Sequence, residues 1–244
     1  MRNILAIAKR ELKAYFGTPI AYVFLAIFVA LTGVFTFFIG NFFGRGVADL
    51  QPFFQYHPWL YLMLVPAISM RLWAEERKSG TIELLMTLPV TTTEAVIGKW
   101  LAGWIFLGFA LVLTFPIWIT VNVLGDPDNG VIFASYIASF LVAGAFLAIG
   151  ACMSALTKNQ VIAFVIAAVV CFFFVMGGSA TMLDAISGLV PDVVVQAVGN
   201  LSAIVHFDNV ARGTLAITDI IYFVSLIAFW LFANVITIEL KKAD

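Results

Sequence analysis

Residues 73–89 read WAEERKSGTIELLMTLP and lie between two apolar runs, residues 56–73 and 95–123. Glu75, Glu76, Arg77 and Lys78 stand side by side and Glu83 follows, in a chain of which only 11% is Asp, Glu, Lys or Arg. Charge gathered between two such runs marks a connection between membrane spans. Gly80 breaks a helix. Thr81 opens a short run with Glu83 in its first turn, where the helix dipole favours an acid, and Leu84 and Leu88 share a face. Pro89 stops that run, and Thr91 with Glu94 has the spacing of a capping box that starts the next span. The stretch at about 75–89 is therefore expected to hold a short amphipathic helix clamped between two breaks, able to push on both spans and suited to receive force from a cytosolic partner. A solvated loop whose charges only fix topology is the plainer alternative. Acids contribute little to orientation, however, and the Gly and Pro breaks define an element rather than a linker.

The rest of the chain supports a membrane setting. Hydrophobic residues make up 63% of the 244 and mean hydropathy is +1.06, beyond what a water-soluble domain carries. Six apolar runs, 20–40, 56–73, 95–123, 131–156, 160–182 and 218–238, approach the ~20 residues that cross a bilayer as helix. They are continuous rather than alternating, which points to helices and not a barrel. The expected fold is an all-α integral membrane protein of six transmembrane helices, with residues 1–19 as an N-terminal interfacial helix and 20–244 as the transmembrane domain. Residues 1–19 lack the pattern of a secretory signal. Cys152 and Cys171 fall inside separate runs and are expected to pack rather than to form a disulfide or metal pair.

Basic residues set the orientation. Eleven of the 13 Lys and Arg residues fall in the N-terminal segment, the 74–94 connection and its flanks, Lys158, and the C-terminal Lys241 and Lys242. Arg45 and Arg212 fall on the other side with Asp49, Asp126, Asp128, Asp184, Asp192, Asp208 and Asp219. The positive-inside rule then places both termini in the cytoplasm. In the first nineteen residues, Ile4, Leu5, Ala8, Leu12, Tyr15 and Phe16 form one helical arc. Arg2, Lys9, Arg10 and Lys13 form the adjoining one, with Glu11 in the sequence AKREL. This describes a helix in the headgroup plane, facing anionic lipid or a cytosolic partner, or else a simple topology anchor.

The interiors of the runs carry no central charge; Arg71 and Lys99 are expected to snorkel from cytoplasmic ends. That argues against an ion-coupled carrier. No phosphate loop or hydrolase motif appears, so no enzyme activity or cofactor is expected on this chain. Small residues in the fourth run (Ser135, Ser139, Ala143, Gly144 and Ala148) suit close helix packing. Pro66 and Pro116 should bend their helices, with neighbouring spans or Thr114 re-satisfying the freed carbonyls. Residues 183–217 are too apolar for a solvated loop and too interrupted for a span. One or two short re-entrant-like exterior helices are expected there, with Asp208 as a cap. His57 and His206 are read as solvated or capping histidines in exterior connections.

The stretch EERKSGTIELLMTLPVT, the N-terminal AKREL helix and the six runs together resemble the permease subunits of ABC-2 type ATP-binding-cassette transporters. HFDNVARG at 206–213, with His206, Asp208 and Arg212, and the ending LKK resemble the gliding-motility-associated branch. The resemblance implies that 75–89 is the coupling helix docking in a cytosolic ATPase subunit, with Glu75, Glu76, Arg77, Gly80, Thr81, Glu83 and Leu84 matching the family pattern. It further implies ATP and Mg on that partner, a second permease subunit (the same chain or another), a companion protein with a large exterior domain, and a location in the bacterial inner membrane. Lipid is an expected partner; nucleic acid is not. The expected function is ATP-driven substrate movement, with export as the better reading. The alternative is mechanotransmission to, or assembly of, an exterior partner without solute movement.

Overall fold

The computed structural model describes residues 2–82, 89–213 and 216–241. Their regular structure is helical apart from one bridge between Ser187 and Val190. Helix α1 is Arg2–Phe16, and α2 is Pro19–Val34, extended by a π-turn at Phe35–Ile39. A single turn, α3 (Gln51–Phe54), precedes α4 (His57–Ser69) and α5 (Arg71–Ser79). Next come α6 (Thr92–Val112), α7 (Pro116–Leu124), α8 (Asn129–Leu156) and α9 (Gln160–Met176). Three short helices, α10 (Ala180–Ile186), α11 (Asp192–Asn200) and α12 (Ala203–Ala211), lead to α13 (Ile217–Leu240).

Among the described residues four helical stretches are long and apolar enough to cross a membrane: Pro19–Ile39, Thr92–Leu124, Asn129–Leu156 and Ile217–Leu240. A fifth is Gln160–Met176 if it is taken with Ala180–Ile186, although the two meet at 89°. The count is thus four to five where the sequence suggested six. The run at 56–73 is divided: α4 has 13 residues, Met70 interrupts it, and α5 follows. At ~1.5 Å per residue, α4 alone reaches ~20 Å, short of a ~30 Å hydrocarbon core. The run at 160–182 stops at Met176 because Gly177 and Gly178 follow. Ser179 then starts a new helix, its Oγ accepting from the Met182 amide at 3.3 Å.

Proline and threonine explain the irregularities inside the long helices. Pro116 has no N–H to donate to the preceding turn. The Val112 carbonyl it would have served accepts from the Phe115 amide at 3.0 Å instead, while Thr114 Oγ1 donates to the Leu111 carbonyl at 2.6 Å, and Thr92–Leu124 continues as one apolar stretch. In α2, Thr32 Oγ1 donates to the Phe28 carbonyl and Thr36 Oγ1 to the Thr32 carbonyl. Such competition for helix carbonyls loosens the ladder where the π-turn forms.

Helix α8 is the centre of the bundle. Of its most apolar 18 residues 72% are buried, against 33% or less in the other three long spans. In lipid, apolar side chains gain little by leaving one hydrocarbon for another, so close approach of small residues carries the packing. Trp100 and Trp104 donate their indole N–H groups to the Gly144 and Phe140 carbonyls, joining α6 to α8. Gly150 meets α4 so closely that an added Cβ would lie 1.9 Å from Ser69 Oγ. Cys152 and Cys171 are free and buried.

Helix α1 runs alongside the first half of α6 in the same direction. Asn3 donates to both Glu94 oxygens at 3.2 Å, Ile7 sits against Gly98, and Tyr15 stacks on Phe106 at 5.3 Å. Ile7, which the expected apolar arc omits, is buried, whereas Leu5 is 63% exposed. The inner face of α1 is therefore taken up by protein. The 183–217 segment holds α11 and α12 after the end of α10, and Asp208 lies inside α12 rather than capping it.

Candidate functional site: the joint at the basic end

At one end of the bundle the break at Met70 turns the chain into α5, which carries the first half of the charged stretch. The break frees backbone groups, and Ser154 of α8 fills it. Its Oγ donates to the Met70 carbonyl at 2.8 Å and accepts from the Trp73 and Ala74 amides at 3.1 and 3.0 Å. A helix leaves its last carbonyls without intrahelical donors. At the end of α8 these are served by cations: Arg77 donates to the Ala155 carbonyl and Lys241 to the Leu156 carbonyl. This also suits the negative end of the helix dipole.

Lys99 of α6 does not snorkel. It is 2% exposed, with Nζ 2.7 Å from Glu76 Oε1, 3.5 Å from Glu11 Oε1 and 5.0 Å from the centroid of the buried Trp73 ring. A buried ammonium is costly unless paired, and here two carboxylates and an aromatic face pair it. Glu75 points outward to Arg71, one helical turn back, at 2.8 Å. That hydrogen bond holds the Glu75 carboxyl below its ordinary range. Glu11, Tyr15, Thr18, Arg71, Glu75 and Lys99 line a cavity of about 230 Å3 between α1 and α5.

Helix α5 ends at Gly80, whose φ of 73° is left-handed and would strain a side chain. Ser79 Oγ donates back to the Glu75 carbonyl and meets Thr81 Oγ1 at 2.9 Å. On the far side of the connection Thr91 and Glu94 form the reciprocal capping box that opens α6. The joint thus brings together Glu75, Glu76, Arg77, Lys78, Gly80 and Thr81 with Glu11. Lys9, Arg10 and Lys13 remain exposed on the outer face of α1. Glu83, Leu84 and Leu88 lie outside the described residues. Lys99, Ser154 and Trp73 complete the joint, and only their placement beside the charged stretch hinted at Lys99 and Trp73.

His206, Asp208 and Arg212 sit at the opposite end, on and just after α12. Of the two readings of His206, solvated or capping, the contacts fit the capping one: Nε2 is 3.0 Å from the Asn200 carbonyl that ends α11, and Nδ1 is 2.6 Å from Asp219 Oδ1. Its ring stacks on Tyr222 at 4.0 Å, and Tyr222 donates to the Leu201 carbonyl. Burial raises the Asp208 carboxyl above its usual range, with Arg212 opposing. Asp219, expected on the exterior surface, is 2% exposed. His57 is likewise buried as the first residue of α4, with Nδ1 2.7 Å from Ser139 Oγ, which also meets the Tyr61 hydroxyl at 2.8 Å. The sequence indicated helices around His57, His206 and Asp219 but not which side chains close over them.

A bundle of long apolar helices with a charged, cross-braced joint at one end defines a polytopic membrane protein. The chain belongs to the ABC-2 family: the model described as ABC-2 family transporter protein matches residues 5–229. Membrane proteins of this family generally partner with an ABC ATPase. No curated protein matches the chain.

Proposed function

We propose that this chain is the permease subunit of an ATP-binding-cassette complex in the bacterial inner membrane. Both termini lie in the cytoplasm, and the basic end with its joint faces a separate ATPase that binds ATP and Mg. The chain itself makes and breaks no bond. In this reading the spans number six. Residues His57 to Trp73 cross together as ~25 Å of helix across the Met70 break, and α9 crosses alone with a similar ~25 Å. A second permease subunit, identical or related, completes the membrane half, and the cycle moves a substrate outward. Residues 75–89 are the docking element for the ATPase, and HFDNVARG favours the gliding-motility-associated branch.

The observation that carries the reading is the joint. Residues 80–91 connect two helices that are each fixed to other parts of the bundle, α5 through Ser154 and Arg77, and α6 through Lys99 and its indole bonds to α8. A displacement that reaches either helix end is therefore passed on to the bundle through these contacts. Exposed apolar residues on the α10–α11 hairpin, Leu189 at 81% and Val193 at 77%, favour the second reading, in which the same motion acts on an exterior protein and no solute moves.

Purification of the tagged chain from native membranes in mild detergent tests the assignment. A stoichiometric P-loop ATPase is expected, lost when Glu83 and Leu84 are changed together. A chain that purifies alone under several mild conditions would overturn it. ATP-dependent movement of solute or lipid by the purified complex separates the transporter from the mechanotransmission reading.

A further inference from the structure

We infer that Lys99 is a positioning residue that welds both ends of the 80–91 segment and the N-terminal helix into one moving body. The inference rests on the permease reading for its purpose, but its geometry stands apart from it. Glu76 lies one turn before the Gly80 break and Lys99 lies two turns inside α6, so their 2.7 Å contact closes the base of the segment. Glu76 Oε2 is buried with no hydrogen-bond partner among the described residues, so the carboxylate is committed to Lys99 through Oε1. Glu11 adds α1 from a third direction at 3.5 Å.

An ion pair on the surface would constrain little, because water and salt screen it. Lys99 has a side-chain exposure of 3%, and its partners are at 21% and 18%. Separating the charges there means leaving an almost fully buried ammonium against the Trp73 ring without its carboxylate, which is strongly unfavourable. The cheaper response to a push on 80–91 is for α5, α6 and α1 to move together. Arg71 and Glu75 pair with each other beside the cluster and do not compete for Lys99. On this account α1 belongs to the transmission path as well as to the topology.

The test uses pairs of spin labels on exposed positions, Lys78→Cys with Thr93→Cys across the base of the segment, and Lys78→Cys with Lys9→Cys from α5 to α1. The chain is measured in nanodiscs and in the complex with its ATPase, with and without ATP. The wild type is expected to give a narrow 78–93 distance that ATP leaves unchanged. Lys99→Met should broaden that distribution at least two-fold or make it respond to ATP. Lys99→Arg and the charge-swapped pair Lys99→Glu with Glu76→Lys should restore it. Glu11→Gln should loosen only the 9–78 pair, and it keeps the test decisive if Lys99→Met does not fold. A narrow, ATP-insensitive 78–93 distance in Lys99→Met would overturn the inference even where the ATPase binds. Absence of an ATPase from the wild-type preparation would overturn the permease reading instead, and the nanodisc measurement would still decide the weld.

Discussion

Replacing Gly150 by Ala should be among the most damaging one-methyl changes in the protein. The new Cβ would lie 1.9 Å from Ser69 Oγ and 2.6 Å from Ser69 Cβ, with Ala167 Cβ at 3.9 Å behind it. Ordinary carbon contacts need about 3.5–4 Å, so α4 and α8 must separate by roughly 1 Å or more. Ser69 cannot swing far enough to help, because the obstacle includes its own Cβ. Overpacking of this kind costs about 1–3 kcal/mol, and the upper half of that range is expected since the clash is with two atoms of a short side chain. For a chain of this length the midpoint of thermal unfolding should fall by roughly 4–12 °C. The assay is a thermal melt of the purified chain in one detergent, followed by size-exclusion. Ser69→Gly removes the obstructing Cβ and should recover more than half of the loss when combined with Gly150→Ala, despite its own cost in helix propensity. A Gly150→Ala protein as stable as wild type, or one that Ser69→Gly fails to rescue, would refute the packing argument.

Other consequences follow from the same structure. Ser154→Ala should cost about 2–3 kcal/mol, because the Met70 carbonyl and the Trp73 and Ala74 amides lose a shared buried partner; hydrogen exchange at residues 70–74 should rise with it, and an unchanged rate would contradict the suture. His206→Phe keeps the stack on Tyr222 but removes both polar bonds, so protease cleavage between α11 and α12 should accelerate several-fold, while unaltered cleavage would show that the Asp219 and Asn200 contacts do not hold α12 to its neighbours. For Glu75, the bonded ionised form is favoured in the folded chain, so its contribution exists above the unfolded carboxylate pKa and fades as pH falls through the depressed folded value. A titration of labelled Glu75 should move toward the ordinary carboxylate range in Arg71→Gln, and a curve identical to wild type would sink the assignment.

Much of this architecture was legible because lipid simplifies the problem. Continuous apolar runs report helices, and the 20–40, 95–123, 131–156 and 218–238 runs match long helices within a few residues. Local chemistry was readable too: Thr91 and Glu94 form the capping box their spacing suggests, and Gly80 ends α5 in the left-handed conformation. What failed depended on contacts across the chain. The Met70 break needs Ser154, 84 residues away, to be tolerated. Lys99 looked like a snorkelling residue because its partners, Glu11 and Glu76, come from other helices. His57 and Asp219 looked exposed because they stand at the ends of runs, and only the fold shows Ser139, Tyr61 and His206 closing over them. The clustering of charge at 75–78 was visible from the start, but which of those side chains faces inward was not.

The 80–91 segment is proposed as the place where an ATPase pushes. A photo-crosslinking amino acid at Thr81, exposed just past Gly80, tests it most directly when compared with the same group at Leu189 on the opposite end of the bundle. In native membranes Thr81 should capture a P-loop ATPase and Leu189 should not. A cross-link to an ATPase from Leu189, or none from Thr81 while the chain remains active, would contradict the account.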